Sequence, residues 1–165
     1  MLGVISNTDG RAEAVAAALN IFRGSGNVAF VVHCGDVGGR HVLDALGSVA
    51  SAFIWGDRDR DRMGLLRYAH SLGVDCLGLI GDLEFDDKKI AVVHGDDRKL
   101  MRRLLDEQQH DFLLVGHELS VEDYTVGKTR VLNPGPLYRS STGSQNAGSA
   151  MLLDPSSGKI KLVPL

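Results

Sequence analysis

Five short polar loops, each closing an apolar strand, run through nearly the whole chain: Asn7-Thr8-Asp9-Gly10, Gly35-Asp36, Gly56-Asp57-Arg58-Asp59, His94-Gly95 and Gly116-His117. Apolar runs at Ile5, 30–33, 53–55, 90–93 and 112–115 supply the strands, and carboxylates, an amide or imidazoles stand where each run ends. In an open α/β sheet ligands bind beyond the carboxyl ends of the strands, so side chains distant in sequence can converge there. Oxygen and nitrogen donors gathered in that way point to a metal ion.

The pattern between the loops sets the fold class. Strands over 2–6, 28–33 and 50–55 alternate with helices over 11–22 and 39–47, a βαβαβ pattern that calls for parallel strands. A further helix over 60–72 carries Met63, Leu66, Ala69 and His70 at helical spacing and stops at Gly73. From Val74 onward short extended runs take over: 77–80, 83–85 and 89–93, with Asp86-Asp87 as a hairpin turn, then a helix over 98–109. Runs at 112–115, 120–126, 129–132, 150–154 and 159–163 have no helical period and should add antiparallel strands. The expected architecture is α/β (α+β): a layered αββα sandwich of two mixed sheets packed face to face, with helices outside. The Ser, Gly, Asn and Thr of 140–148 leave nothing to bury and are expected to form a surface loop.

With 165 residues and 44% hydrophobic content, the chain suits one domain spanning 1–165. Its formal charge of -3, with Lys and Arg mixed among Asp and Glu, gives no footprint for nucleic acid. No apolar stretch escapes interruption by Gly, Asp, Arg or His, so no membrane span is expected. Two cysteines, Cys34 and Cys76, are too few for a disulfide framework, and a strand-like start without a charged leader is expected of a cytoplasmic protein. Cys34 reads as a small core hydrophobe rather than a ligand.

The order and spacing of Asn7-Thr8-Asp9, Gly35-Asp36, Gly56-Asp57-Arg58-Asp59, His94-Gly95, Gly116-His117-Glu118-Leu119 and Asn133-Pro134-Gly135 resemble the calcineurin-like metallophosphoesterases, in particular their small prokaryotic phosphodiesterases. The resemblance covers essentially the whole chain. It implies metal ligands at Asn7, Asp9, Asp36, Asp57, His94 and His117, with Asp36, His94, Arg58 and Asp59 in catalysis. Three positions depart from the family pattern: Asn7 stands for an Asp, Asp9 for a His and Leu119 for a His. All three belong to the first of two metal sites. The second, drawing on Asp36, Asp57, His94 and His117, keeps its ligands and gains a carboxylate at Asp57.

The resemblance therefore implies a metal-dependent phosphodiesterase or phosphatase that uses a metal-activated hydroxide, with one strong and one weak metal site. An oxygen-rich donor set favours manganese, with iron, nickel or zinc as alternatives. The expected partner is a small phosphorylated substrate, and a homo-oligomer is left open. The competing function is a degenerate scaffold on the same fold, as in a phosphoesterase-like subunit of the eukaryotic retromer, or a protein that binds a phosphorylated ligand without turnover.

Several residues admit two readings. Arg58 cannot act as a general acid at ordinary pH; it is either a phosphate contact or one charge in the solvated run Arg58 to Arg62. Asp59 is expected to orient a metal-bound histidine. Asn7 and Asp9 could equally be turn and capping residues for the helix that follows. His33 is expected to pack beside the site, and His41 and His110 to lie on helix surfaces.

Overall fold

Residues 1–26, 28–138 and 148–165 are described in a computed structural model of the chain, so the loop expected at 140–148 lies outside the described residues apart from Gly148. The alternating first half forms β1 (Leu2–Ile5), α1 (Ala12–Gly24), β2 (Phe30–His33), α2 (Arg40–Leu46), β3 (Ser51–Phe53), α3 (Arg62–Leu72) and β4 (Asp75–Cys76). Strands β1, β2, β3 and β4 pair in parallel in that order. Asp61 caps α3 by accepting a hydrogen bond from the Gly64 amide, and Gly73 ends it in the left-handed conformation that closes many helices.

The second half continues with β5 (Ile80–Phe85), β6 (Lys88–Val93), α4 (Arg98–Glu107), β7 (Phe112–Leu114), β8 (Glu122–Val126), β9 (Thr129–Asn133), β10 (Ser149–Asp154) and β11 (Lys159–Pro164). Asp86 and Asp87 both take positive φ, 52° and 61°, the backbone a tight two-residue hairpin between β5 and β6 requires. Two sheets result, ordered β11-β10-β1-β2-β3-β4 and β5-β6-β7-β9-β8. The C-terminal hairpin thus returns to the first sheet, where β10 runs antiparallel beside β1.

Two expectations are corrected. The run 112–115 is expected among antiparallel strands, but β7 pairs in parallel with β6, through the crossover that α4 provides, and with β9, which the chain reaches by way of β8. The run 77–80 is not a strand: Gly78 takes φ 80° and the chain turns from β4 in the first sheet to β5 in the second.

Strand alternation builds the layers. Leu2, Val4, Val32, Ile54, Ile90, Val92, Leu114, Leu132 and Met151 fill the space between the sheets, while Ala91, Val93, Leu113 and Val131 turn outward to Leu104 of α4. On the other side Val15, Leu19, Phe22, Leu43, Leu46 and Leu65 of α1 to α3 cover Ile5, Val31 and Phe53. This gives the helix, sheet, sheet, helix order expected, and the loops after the parallel strands of both sheets meet at one end. Cys34 lies fully buried in the inter-sheet core, and burial pushes its thiol far up from the ordinary value. Among the described residues no helix is long and apolar enough to cross a membrane.

Candidate metal centre

The loops carry their side chains on unusual backbone. Asn7, Asp9, Asp36 and His117 sit at φ 50°, 46°, 60° and 62°, the left-handed region that Asn, Asp and His enter more readily than other residues. Gly35 and Gly56 let the loops close on one another. A Cβ at Gly35 would fall 2.5 Å from His94 Nδ1, and one at Gly56 would fall 2.1 Å from Asp36 Oδ1.

Asp57, His94 and His117 each offer one donor atom, all within 4.8 Å of one another. His94 is at the centre. Its Nε2 lies 3.1 Å from Asp57 Oδ1 and 3.4 Å from Asp36 Oδ2, while its Nδ1 lies 2.8 Å from the Cys34 carbonyl. A carbonyl only accepts, so it fixes the proton on Nδ1 and leaves Nε2 for a cation. His117 Nδ1 lies 3.4 Å from the same Asp57 oxygen, and the two imidazoles meet edge to face at 5.2 Å.

Burial opposes a charge on His94, yet its hydrogen bonds to Asp36 and Cys34 and the charges of Asp36 and Asp96 win, raising its pKa to about 8. Burial likewise pushes Asp36 up, but the hydrogen bond and charge of His94 and the amide and charge of Arg58 hold it below the ordinary carboxylate range. The pocket thus favours a cation against its carboxylates.

Asp59 does not orient a histidine. Its buried carboxylate accepts hydrogen bonds from the backbone N–H of Asp36, Val37 and Gly56 at Oδ2, 2.9 to 3.2 Å, and from Gly38 at Oδ1, 2.9 Å. One side chain therefore holds the second and third loops in register. Asn7 fastens another pair: Oδ1 accepts from the His117 amide at 3.1 Å and from the Ser6 hydroxyl at 2.8 Å, and Nδ2 donates to the His117 carbonyl at 3.2 Å. Asn133, quoted above only as part of a motif, donates to the carbonyls of Gly116 and Glu118 and secures the other side of that loop.

Asp9 is engaged away from the imidazoles. Its Oδ2 accepts from the Tyr138 hydroxyl at 2.6 Å and pairs with Arg58 Nη1 at 3.0 Å. Leu119, half in solvent at 41% exposure, offers no donor. Tyr138 and the Cys34 carbonyl were not anticipated from the sequence. No local pattern marks them, since Tyr138 meets Asp9 from 129 positions away.

His33 packs beneath the loops. Its Nε2 lies 2.8 Å from the Thr8 hydroxyl, which also faces the carbonyls of Asp36 and Val37, and its Nδ1 has no hydrogen-bond partner among the described residues. Burial first, then the charge of His94, lower its pKa from 6.5 to about 3. The unfolded chain takes up this proton near pH 6.5 while the folded chain refuses it until about pH 3. The neutral ring's contribution is therefore whole above pH 6.5 and is lost as pH falls toward 3. Between pH 7 and pH 4.5 the wild type is expected to lose about 2 kcal/mol more stability than His33→Gln in urea unfolding; equal losses would contradict this. His110, expected on a helix surface, instead lies between α4 and β7, half-buried, with its Nε2 3.5 Å from Asp82. His41 and His70 are exposed.

Comparisons with known proteins give the family and the fold. A family model described as the calcineurin-like phosphoesterase superfamily domain matches residues 1–158. The chain belongs to that superfamily. Within it, the relative named "Probable metallophosphoesterase" from Methanocaldococcus jannaschii is 30% identical over 141 residues, covering 82% of this chain and 67% of that protein. A solved archaeal phosphodiesterase superposes with a TM-score of 0.89 at 23% identity over 99% of each chain. The E. coli phosphoesterase YfcE gives 0.70 at 20% identity, covering 99% and 98%. Calcineurin-like phosphoesterases of this kind are metal-dependent, and the shared fold is the two-sheet sandwich described above.

Proposed function

We propose that this chain hydrolyses phosphodiesters or phosphomonoesters of small molecules in the cytoplasm, using a divalent ion, manganese in preference, held by Asp57, His94 and His117 with Asp36 beside them. The observation that carries this reading is the convergence of those three donors from three separate loops to within 4.8 Å. The donor set fits an ion: two imidazoles and a carboxylate, with a further carboxylate 3.4 Å from the buried ring. Two free cysteines, one fully buried, suit a reducing compartment.

A bound divalent ion supplies polarisation of a phosphoryl oxygen and a lowered pKa for water. The protein's own residues do the rest. The Cys34 carbonyl sets which nitrogen of His94 faces the ion, Asn7 and Asn133 fix the loop carrying His117, and Asp59 holds the loops of Asp36 and Asp57 against each other. Arg58, whose side chain is 61% exposed, presents guanidinium N–H donors toward an incoming phosphoryl group.

One panel tests the proposal: a bis-aryl phosphate and an aryl monophosphate, offered with manganese, iron, nickel or zinc, with metal content measured on the same preparation. Manganese-dependent turnover well above that of Asp36→Ala is expected. A scaffold reading draws on one observation, the apolar Leu119 exposed on the loop that carries His117. Turnover no higher than the Asp36→Ala background with every metal would favour the scaffold.

A further inference from the structure

We infer that the guanidinium of Arg58 stands where a second metal ion would otherwise be needed, so that this site acts on phosphate with one ion and one fixed organic cation. The inference rests on the phosphoesterase reading above. The ligands that the family pattern implies for a first ion, Asn7, Asp9, Asp36 and Leu119, do not fit one here. Both ends of the Asn7 amide are taken up by the His117 backbone, and Leu119 has no donor atom. What remains is a pair of carboxylates, Asp9 and Asp36.

Arg58 answers that charge. Its Nη1 lies 3.0 Å from Asp9 Oδ2 and its Nε 3.7 Å from Asp36 Oδ2. An exposed ion pair alone would hold a long side chain loosely, but two other contacts brace this one. The Arg58 backbone N–H donates to Asp36 Oδ1 at 3.0 Å, anchoring the base of the residue. Tyr138 donates to the same Asp9 oxygen, and the Arg11 guanidinium lies 3.6 Å over the Tyr138 ring, backing it from behind.

Asp36 Oδ2 therefore sits between the two halves of the site, 3.4 Å from His94 Nε2 and 3.7 Å from Arg58 Nε. A single carboxylate oxygen joins the imidazole side, which suits an ion, to the guanidinium side. A guanidinium has five N–H donors in a planar fork that matches phosphate oxygens, and Asp9 and Asp36 occupy only part of it. It does not lower the pKa of water, so its share is binding and charge stabilisation of the phosphoryl group.

Manganese titration followed by electron paramagnetic resonance reads the stoichiometry directly. The wild type is expected to hold one ion per chain with an uncoupled six-line spectrum at saturating metal. A spin-coupled pair would overturn the inference while leaving the phosphoesterase reading intact; no bound ion at all would remove both. Arg58→Ala is expected to keep its single ion, which shows that the site still stands, yet to lose about 100-fold in kcat/KM for a bis-aryl phosphate. Inhibition by inorganic phosphate should weaken in step, and millimolar guanidinium salt should restore part of the rate. Arg58→Lys should fall between the two, because it keeps the charge without the fork. Unchanged phosphate inhibition in Arg58→Ala would refute the assignment.

Discussion

Replacing His94 with alanine should lower manganese-dependent hydrolysis of a bis-aryl phosphate by about three orders of magnitude, a barrier increase of about 4 kcal/mol. The ring is 1% exposed, lies within 3.4 Å of both Asp36 and Asp57, and meets His117 edge to face. Without it the Cys34 carbonyl keeps only the longer bond from the Ser6 hydroxyl among the described residues, and Asp36 loses the group that most lowers its pKa. Bound manganese, measured by elemental mass spectrometry, should fall together with kcat. A variant that kept a tenth of the turnover and its full complement of metal would show that His94 is not a ligand.

The second large effect concerns stability as much as rate. Asp59→Ala should destabilise the fold by about 4 kcal/mol, lowering Tm by on the order of 10 °C, because the buried backbone N–H groups of Asp36, Val37 and Gly56 and the part-buried one of Gly38 lose one shared acceptor. Entry of water into the gap would offset part of the loss, which is why the expected figure lies well below four full penalties. Manganese affinity should weaken as well, since the loops of Asp36 and Asp57 would no longer be held together. Chemical denaturation without metal separates the two roles. If Asp59 acted only by orienting a histidine, the metal-free variant would be as stable as the wild type.

The contrast between those two residues shows what the sequence discloses. The layered fold was legible because period-two and period-3.6 apolar patterns map directly onto faces, as in β6, where Ile90 and Val92 face the other sheet and Ala91 and Val93 face α4. Strand direction was less so. The three residues of β7 read alike in either direction, and only the crossover through α4 decides. The donors at strand ends were visible in sequence, and the structure draws Asp57, His94 and His117 together.

The uses of neighbouring residues were not visible. An Asn at a strand end serves equally as ligand, cap or strap, and the choice for Asn7 depends on a backbone 110 residues away. Asp59 accepts from amides on loops that only the folded sheet brings near, and Arg58 finds Asp9 across 49 residues. Sequence spacing reports what alternates along an element; it carries little about which loop lands on which.

The left-handed backbone at Asn7, Asp9, Asp36 and His117 has an evolutionary consequence. Such conformations cost non-glycine residues on the order of 1 kcal/mol each, and glycine would relax them. A lineage released from selection for hydrolysis would find relief in glycine at His117, whose ring meets only Asp57 and His94 among the described residues, but at Asn7 and Asp36 the same exchange would forfeit hydrogen bonds that tie neighbouring loops together. Drift would then empty the loop of His117 first, while the bent backbone at Asn7 and Asp36 stayed in place as part of the scaffold.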